Sequence, residues 1–537
     1  MFQKPFPDPD HPLFDRLSLL TFATVAILFM MTFRDYGYSW EELWHNVWYG
    51  KAILSHMGTF GADVRAVRYV DLHYYGGLYD SVIEAIAWLG PWEGFTVRRF
   101  GNGMMGLLGL VGTWRMGRML AGPRGGFWAL LLLVTMPAYY GHTFINAKDI
   151  PVAVGAIWSL YFLLRASVAL PNPATRDLVF LGMSMGLAMG VRIGGIVLIA
   201  FCGMLLIVGL MMMPVAGRGF WRTVASLPWL RLLGLPIGIA GLLMIVFWPA
   251  VWHDPGVLRE AFESARHHVW GRTVLLDGLY IRGDRLPWTY LPTYFAVTLP
   301  ELFAMIVPVA TLWGIHGIID GWRRGDRLRT QGLLLLLVSI YFTPVYAVVN
   351  QTTLYDGIRH FLLIVPPMAV LGATALTALW RVPRHGSFWM SRTAAGLLGV
   401  YFLSHIVTMV RLHPYQYAYY NNFIGGLPGA DKRFETEYWI TSYREAAFKM
   451  VEHARREAVR KGLDFDAQKF TVGVAYVAIN VTPFVPANFS VFETGKVENP
   501  DYIISTTRWN SDRQFDALPT VAHVARFGVV FAVVKGR

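Results

Sequence analysis

The sequence predicts a mainly α-helical, polytopic membrane protein with about eleven transmembrane helices and a small C-terminal α/β domain outside the membrane. Hydrophobic residues make up 55% of the chain and charged residues only 15%, whereas soluble domains are about one quarter charged. Apolar stretches recur as far as residue 411, and the sequence becomes more polar after that point. This composition excludes an intrinsically disordered chain and is not that of a soluble domain.

The apolar stretches have close to the ~20 residues that a helix needs to cross a bilayer. They lie roughly at 17–33, 99–114, 125–141, 150–166, 177–192, 195–213, 232–252, 294–318, 331–349, 360–380 and 394–411. Arg34, Asp35 and Tyr36 follow the first stretch, and no small-residue cleavage site is present. We therefore expect a retained helix there and not a cleaved signal peptide.

Arginines cluster in alternate connecting loops, for example at 115–124, 165–176 and 323–329. Since basic loops stay in the cytoplasm, the pattern predicts a cytoplasmic N-terminus and a multi-pass protein of the bacterial inner (plasma) membrane. It also accounts for the net charge of +12 without nucleic-acid binding. We expect a transmembrane catalytic domain at 1–411, with long outward loops at 34–98 and 253–293, and an extracytoplasmic α/β domain at 412–537.

The predicted α/β domain has a helix-like stretch from 442 to 461 and strand-like runs at 470–477, 501–505 and 529–534. Within 34–98, apolar residues recur at helical spacing, which predicts amphipathic helices lying at the membrane interface. The single cysteine, Cys202, excludes an intramolecular disulfide and a cysteine-based metal site.

Two groups of acids follow predicted spans on the outward side. Glu41 and Glu42 come a few residues after the first span, where a carboxylate pair can bind a metal, accept a hydrogen bond or act as a general base. Alternatively, they simply lie at the start of an interfacial helix, where the helix dipole favours acids. Asp149 precedes Pro151 at the start of the fourth span, so it is either a site acid or an N-cap.

Three cations share this level of the membrane, namely Lys148, Arg192 and Arg359. An arginine at membrane depth costs roughly 2.5–3.5 kcal/mol on insertion scales, so we expect each to face a cavity or a partner. Tyr355, Asp356 and His360 lie beside Arg359 and are predicted further substrate contacts. The coincidence of so many costly groups at one level predicts a site, in which Asp149 and Lys148 could pair an acid with a phosphate binder.

An aromatic, proline-stiffened loop precedes the eighth span and contains Trp288 and Tyr290. These side chains are predicted to contact a lipid or a sugar, with an ordinary interfacial aromatic belt as the alternative.

Three stretches resemble motifs of the GT-C superfamily of polytopic glycosyltransferases, nearest to bacterial relatives of protein O-mannosyltransferases and lipid A aminoarabinose transferases. Residues 39–42 (Ser-Trp-Glu-Glu) resemble the acidic motif of the first outward loop, and 148–151 (Lys-Asp-Ile-Pro) the Asp-x-Pro of the second. Residues 413–426 resemble the His-Pro, Tyr-Asn and Gly-Gly segment after the last span. The family's first motif usually begins with Asp, where this chain has Glu41. That difference leaves Glu41, Glu42 or Asp35 as the motif acid, and we favour Glu41.

The resemblance implies a polyprenyl-phosphate-linked sugar as donor, inversion at the anomeric carbon, and a glycan, lipid or protein as acceptor. Glu41 or Asp149 would act as base, while Lys148, Arg192 or Arg359 would neutralise the departing phosphate. No cofactor is certain, and a divalent metal stays open because some superfamily members use one and others do not. The alternative is a transporter or flippase for a lipid-linked or anionic substrate, although its charges would be expected at the midplane.

Overall fold

The computed structural model describes residues 11–92, 94–213, 219–266, 268, 270–381 and 388–536. The remaining parts of the predicted domains, at 1–10, 93, 214–218, 267, 269, 382–387 and 537, lie outside the described residues. The helices are α1 (His11–Thr32), α2 (Tyr49–Gly58), α3 (Leu78–Leu89), α4 (Gly94–Val134), α5 (Pro137–Ile145), α6 (Asp149–Val168), α7 (Thr175–Met189), α8 (Val197–Met211), α9 (Phe220–Ala225), α10 (Leu235–Val246), α11 (Pro249–His253), α12 (Val257–Arg266), α13 (Tyr290–Thr298), α14 (Glu301–Arg324), α15 (Arg327–Val349), α16 (Val365–Arg381), α17 (Phe388–Leu412), α18 (Gly426–Ala430) and α19 (Tyr443–Arg460). The strands are β1 (Thr273–Leu276), β2 (Leu279–Arg282), β3 (Phe470–Val474), β4 (Phe489–Glu493), β5 (Tyr502–Thr506), β6 (Thr520–Arg526) and β7 (Val529–Gly536).

The predicted class, mainly helical with a C-terminal α/β region, is confirmed. In the described part of the chain, 7 helices are long and apolar enough to cross a membrane, or up to 8 if a bent pair is one span. The bent pair is α4 with α5, which meet at 65°. The predicted count of about eleven stays a prediction, because α7 and α10 have only 15 and 12 residues.

Helix α4 is not one straight rod. Gly122 has a φ of +75° and is followed by Pro123, so the helical hydrogen-bond ladder is broken there. A Cβ added at Gly126 would stand 3.0 Å from the indole nitrogen of Trp114, although residues twelve apart on a straight helix are about 18 Å apart. The chain therefore folds back at Gly122, which places the two predicted spans at 99–114 and 125–141 side by side.

Helix α6 lies at the centre of the helical part. It packs against α4 and α7, while α16 packs along α4. In the most apolar window of α6, 83% of the residues are buried inside the protein. The side chains at the first turn of α6 are therefore held by protein on nearly every side, which is where Asp149 lies.

The loop 34–98 forms short helices, as its spacing predicts. A π-helix at Glu42–Trp48 runs directly into α2, and α3 follows later in the loop. The end of α3 is strongly exposed, with Trp88 at 84% and Leu89 at 78%. An exposed Trp-Leu pair at the end of an amphipathic helix fits the predicted position at a membrane interface.

The C-terminal sheet has the strand order β4-β3-β5-β7-β6. Strand β3 is parallel to both β4 and β5, whereas β7 is antiparallel to β5 and β6. Helix α19 packs against β5, β6 and β7, and it matches the helix predicted at 442–461. The boundary between the two predicted domains stays a prediction.

The segments predicted to be extracytoplasmic contact one another. Asn480 donates a hydrogen bond to the carbonyl oxygen of Tyr38 at 2.9 Å, and the indole of Trp509 donates to the carbonyl oxygen of Thr273 at 2.9 Å. The first loop, the loop at 253–293 and the C-terminal region therefore share one face. Which side of the membrane this face occupies stays a prediction.

Candidate active site

Glu41 and Glu42 are neighbours in sequence but point to different surroundings. The Glu42 carboxylate is buried, lies 2.9 Å from the guanidinium of Arg99 on α4, and accepts a hydrogen bond from the backbone of Ser39. The Glu41 side chain is 25% exposed, and its Oε1 lies 3.3 Å from Arg359 Nη2. Glu41 thus faces the predicted site. Glu42 is already engaged in an ion pair with Arg99, and its predicted catalytic role stays a prediction.

The electrostatic environment keeps Glu41 ionised. Burial raises the pKa of its carboxyl group, but Arg359 and Lys148 outweigh burial and hold that pKa well below its usual range. At neutral pH the side chain is therefore a carboxylate able to accept a proton or a hydrogen bond.

Asp149 is the first residue of α6, but it does not cap the helix. The side-chain oxygen of Asn146 accepts a hydrogen bond from the Asp149 backbone nitrogen at 2.8 Å. The Asp149 carboxylate instead lies 3.0 Å from Arg192 Nη2 and accepts a second bond from Asn146 Nδ2 at 2.8 Å. Because Asn146 does the capping, the Asp149 side chain is available to the cavity.

Lys148 and Arg192 converge on one aromatic ring. The Lys148 ammonium lies 4.6 Å from the ring centroid of Tyr75, and the Arg192 guanidinium lies 5.5 Å from it. Within the described ranges, no carboxylate is within the 4.0 Å ion-pair distance of Lys148. Burial lowers the pKa of Lys148, and Glu41 opposes that effect. A buried ammonium without a paired carboxylate marks a place where an anion would be stabilised.

Arg359 is 1% exposed and is held between two rings. Its guanidinium lies 4.9 Å from the centroid of Tyr355 and 5.0 Å from that of Trp439. Its Nε lies 3.1 Å from Asp356 Oδ2, while its two Nη atoms reach Glu41 at 3.3 and 3.4 Å. The contact between the Arg359 Nη atoms and Glu41 is longer than a good charged hydrogen bond, so Glu41 holds these Nη atoms only weakly.

Asp149 and Arg192 line a cavity of about 410 Å³. Lys148 and Arg359 lie behind its wall, against the rings of the lining residues Tyr75 and Tyr355. Its polar end is formed by Tyr75, Asp149, Arg192, Tyr355 and His360. Its walls are largely apolar and come from the start of α8, from α12 and from α15. A second apolar space of about 490 Å³ runs along α15 and shares Phe342 and Tyr346 with the first. The arrangement fits an amphipathic ligand with an anionic head and a long apolar tail.

Trp288 and Tyr290, like Asp356, are predicted contacts that do not line this cavity. Trp288 is 70% exposed, and Tyr290 is buried with its hydroxyl 3.3 Å from the carbonyl oxygen of Gly357. Tyr290 thus supports the backbone of the loop that contains Tyr355 and Asp356. Neither side chain lines the cavity, so their contact with substrate stays a prediction.

Four contributors were not predicted from the sequence. Asn146 lies two residues before Lys148 and Tyr75 lies in the loop 34–98, and their polar and aromatic character gave a weak signal. Trp439 and Arg508 come from the region after 412, far in sequence from the groups they contact. Trp439 contacts Arg359, and Arg508 contacts Asp356. In the described residues, no group of three or more His, Cys, Asp or Glu side chains could hold a metal ion.

Comparison with known proteins relates the chain to membrane glycosyltransferases. Residues 84–246 match the family described as dolichyl-phosphate-mannose-protein mannosyltransferase. The crystal structure of ArnT from Cupriavidus metallidurans in the apo state is similar with a TM-score of 0.51 and 14% identity, covering 96% of this chain and 97% of that chain. The chain has the GT-C fold. The predicted GT-C fold is thus confirmed, and the family that matches residues 84–246 is one of glycosyltransferases.

Two further structures resemble this GT-C chain less closely. ArnT from Cupriavidus metallidurans bound to undecaprenyl phosphate gives a TM-score of 0.49 at 14% identity, with coverage of 96% of this chain and 97% of that chain. AglB from Archaeoglobus fulgidus, in complex with an inhibitory peptide and a dolichol-phosphate, gives 0.47 at 10% identity, with coverage of 92% and 70%. No curated protein sequence matches the chain.

Proposed function

We propose that the protein transfers a sugar from a polyprenyl-phosphate donor to an acceptor hydroxyl on the extracytoplasmic side, with inversion at the anomeric carbon. The observation that carries this proposal is an apolar cavity whose polar end contains the Asp149–Arg192 ion pair, with Lys148 and the Glu41–Arg359 pair directly behind its aromatic lining. An apolar space along α15 adjoins this cavity. The match of residues 84–246 to a family named for a lipid-phosphate-linked sugar supports the same donor class.

The donor phosphate would bind among Lys148, Arg192 and Arg359. Lys148 supplies a buried charge without a paired carboxylate, and the Nη atoms of Arg359, which make only long contacts to Glu41, can take a phosphate in a bidentate manner. The prenyl tail would follow the apolar space along α15 past Phe342 and Tyr346.

Glu41 is the proposed general base. Asp149 is fixed by Arg192 and Asn146, whereas among the described residues the Glu41 carboxylate is held only by the long contact to Arg359. Glu41 would accept the proton of the acceptor hydroxyl while that oxygen bonds to the anomeric carbon and the anomeric carbon–phosphate oxygen bond breaks. The pair of electrons leaves with the phosphate, where the cations stabilise the growing charge. A single displacement of this kind inverts the anomeric centre.

Donor binding would also prepare the base. The cations that hold down the pKa of Glu41 are the ones that a phosphate would neutralise. Occupation of the site by the donor should therefore raise the pKa of Glu41 and make it a better proton acceptor.

The test uses the purified full chain in proteoliposomes with a panel of radiolabelled polyprenyl-phosphate sugars and bacterial envelope extracts as acceptors. Transfer of label to an acceptor, abolished in Glu41→Gln, supports the proposal. Movement of labelled donor between leaflets without transfer would favour the flippase alternative. Mass spectrometry of envelope glycans from a deletion strain would then identify the sugar and the acceptor.

A further inference from the structure

Arg508 is a buried arginine of the C-terminal region that reaches the site. Its side chain is 5% exposed, and its Nη2 lies 2.5 Å from Asp356 Oδ1 and 3.1 Å from Glu435 Oε1. Its Nη1 donates to the carbonyl oxygen of Tyr438 at 2.6 Å. A buried guanidinium with this many partners has a fixed orientation, so it can fix the orientation of what it binds.

Asp356 connects Arg508 to Arg359. One carboxylate oxygen of Asp356 binds Arg508, and the other lies 3.1 Å from Arg359 Nε and accepts a hydrogen bond from the indole of Trp439 at 3.1 Å. Asp356 holds this position with a φ of +57°, a left-handed backbone that is uncommon outside glycine. The contacts therefore hold the carboxylate in place against a local conformational preference.

The position of Arg508 follows from the topology of the sheet. It comes two residues after β5, at the carboxyl ends of the parallel strands β3 and β5, where α/β domains commonly place functional residues. Its guanidinium stacks 4.2 Å from the ring centroid of Trp509. Trp509 itself has a φ of +52° and is tied to Thr273 through its indole. Contacts with Asp356 and with Thr273, which belong to two different segments of the chain, thus hold the turn that contains Arg508.

We infer that Arg508 is a positioning residue: through Asp356 it orients Arg359, so that the Nη edge of Arg359 is presented to the donor phosphate. This inference rests on the proposed function, because Arg359 is taken to bind that phosphate. It makes the C-terminal region part of the donor site, although Arg508 itself does not line the cavity.

The test measures binding of undecaprenyl phosphate to the purified full chain in detergent, together with the thermal midpoint of each variant. We expect Arg508→Lys to weaken binding by about tenfold while the protein remains folded, since lysine keeps the charge but cannot bind Asp356 and Glu435 with a planar fork. The matched control is Arg526→Lys, which alters another partly buried arginine of the C-terminal region, paired with Glu445 away from the site. Its affinity should stay within about twofold of wild type.

A double-mutant cycle separates positioning from general packing. If Arg508 acts through Arg359, the double variant Arg508→Lys/Arg359→Lys should bind no more weakly than Arg359→Lys alone. Additive losses, or unchanged affinity in folded Arg508→Lys, would overturn the inference. If Arg508→Lys does not fold, Asp356→Asn replaces it in the same cycle and is judged by the same outcomes.

The single variant Arg359→Lys distinguishes this inference from the proposed function. Unchanged undecaprenyl phosphate binding in that variant would remove the phosphate contact on which both depend. A loss in Arg359→Lys combined with normal binding in Arg508→Lys would overturn only the positioning role.

Discussion

At the scale of single residues, Glu41 and Glu42 are expected to behave differently on mutation. Glu41→Gln should reduce turnover by at least ~10²-fold with little loss of folded protein, because removal of a general base typically costs 10²–10⁴-fold. Glu42→Gln should mainly lower the thermal midpoint, because it leaves the buried Arg99 without its counter-charge. Measurements of turnover and of thermal unfolding on both variants test this expected difference. A stable but inactive Glu42→Gln with an active Glu41→Gln would move the catalytic role by one residue.

Arg192 is the proposed phosphate ligand that lines the cavity itself. Arg192→Ala should weaken undecaprenyl phosphate binding and slow turnover, because charge on the leaving phosphate grows toward the transition state. Arg192→Lys should restore the function only in part, since the charge remains but the planar fork is lost. Equilibrium binding and turnover are compared for the two variants. Normal affinity in folded Arg192→Ala would leave Arg192 with only its structural pairing to Asp149.

Glu435 gives a prediction about pH. Burial raises its pKa from 4.5 to about 7; Arg508 opposes this and Asp356 adds to it. The folded protein therefore keeps a proton that the unfolded chain releases at lower pH, and this group's contribution to stability falls as pH rises through that window. Glu435→Gln, which cannot ionise, should gain thermal stability relative to wild type between about pH 5 and pH 8. A difference in thermal midpoint that does not change with pH would contradict the shifted pKa.

At the scale of elements, helix α5 is held close to the segment that follows the last predicted span. A Cβ at Gly141 would overlap the backbone nitrogen of Tyr417, so Gly141→Ala must displace α5. That helix leads directly to Asn146, which holds Asp149. We expect a lower thermal midpoint and reduced turnover.

The control for this change is Gly203→Ala on α8, where an added Cβ meets nothing within 4 Å. It should leave turnover unchanged, and it should be neutral or slightly stabilising because alanine is favoured over glycine in helices. Equal damage from both substitutions would show that glycine replacement in itself, and not the approach of α5 to Tyr417, impairs the protein.

The sequence could predict the features that depend on local patterns but not those that depend on tertiary contacts. Apolar length predicted the helical class, and the positions of Glu41, Asp149 and Arg359 at the ends of apolar stretches predicted that these groups lie at one level. The pairings could not be predicted: Glu41 meets Arg359 across 318 residues, and Asp356 meets Arg508 across 152. Such contacts depend on how the C-terminal sheet sits on the loops, which no local pattern encodes. Likewise, the short strands β4 and β6 lack a strong hydrophobic run and were not predicted.

At the scale of the whole molecule, three segments that are predicted to face outward meet the C-terminal sheet around one site. Glu41 comes from the first loop, Asp149 from the second, Arg359 from the start of the tenth predicted span and Arg508 from the C-terminal region. The helices supply an apolar cavity, while the Asp149–Arg192 ion pair that lines it lies at helix ends that are predicted to face outward. With the predicted orientation, these charges would lie at the level of the lipid headgroups, which fits the proposed donor taken from a leaflet better than a substrate carried through the midplane.

The proposed transfer requires that the site face the extracytoplasmic side of the membrane. Because the chain has a single cysteine, cysteine labelling can measure this orientation directly. Cys202 is buried, so a Cys202→Ala background should accept cysteines at exposed sites without competing labelling. The substitutions Trp288→Cys and Lys496→Cys place a cysteine on the predicted extracytoplasmic face, and Arg176→Cys places one in a predicted cytoplasmic loop. In intact spheroplasts, a membrane-impermeant maleimide should label the first two, and it should label the third only after lysis, because arginine-rich loops remain in the cytoplasm. The reverse pattern would place Glu41, Asp149 and the C-terminal region in the cytoplasm and would contradict transfer from the outer leaflet.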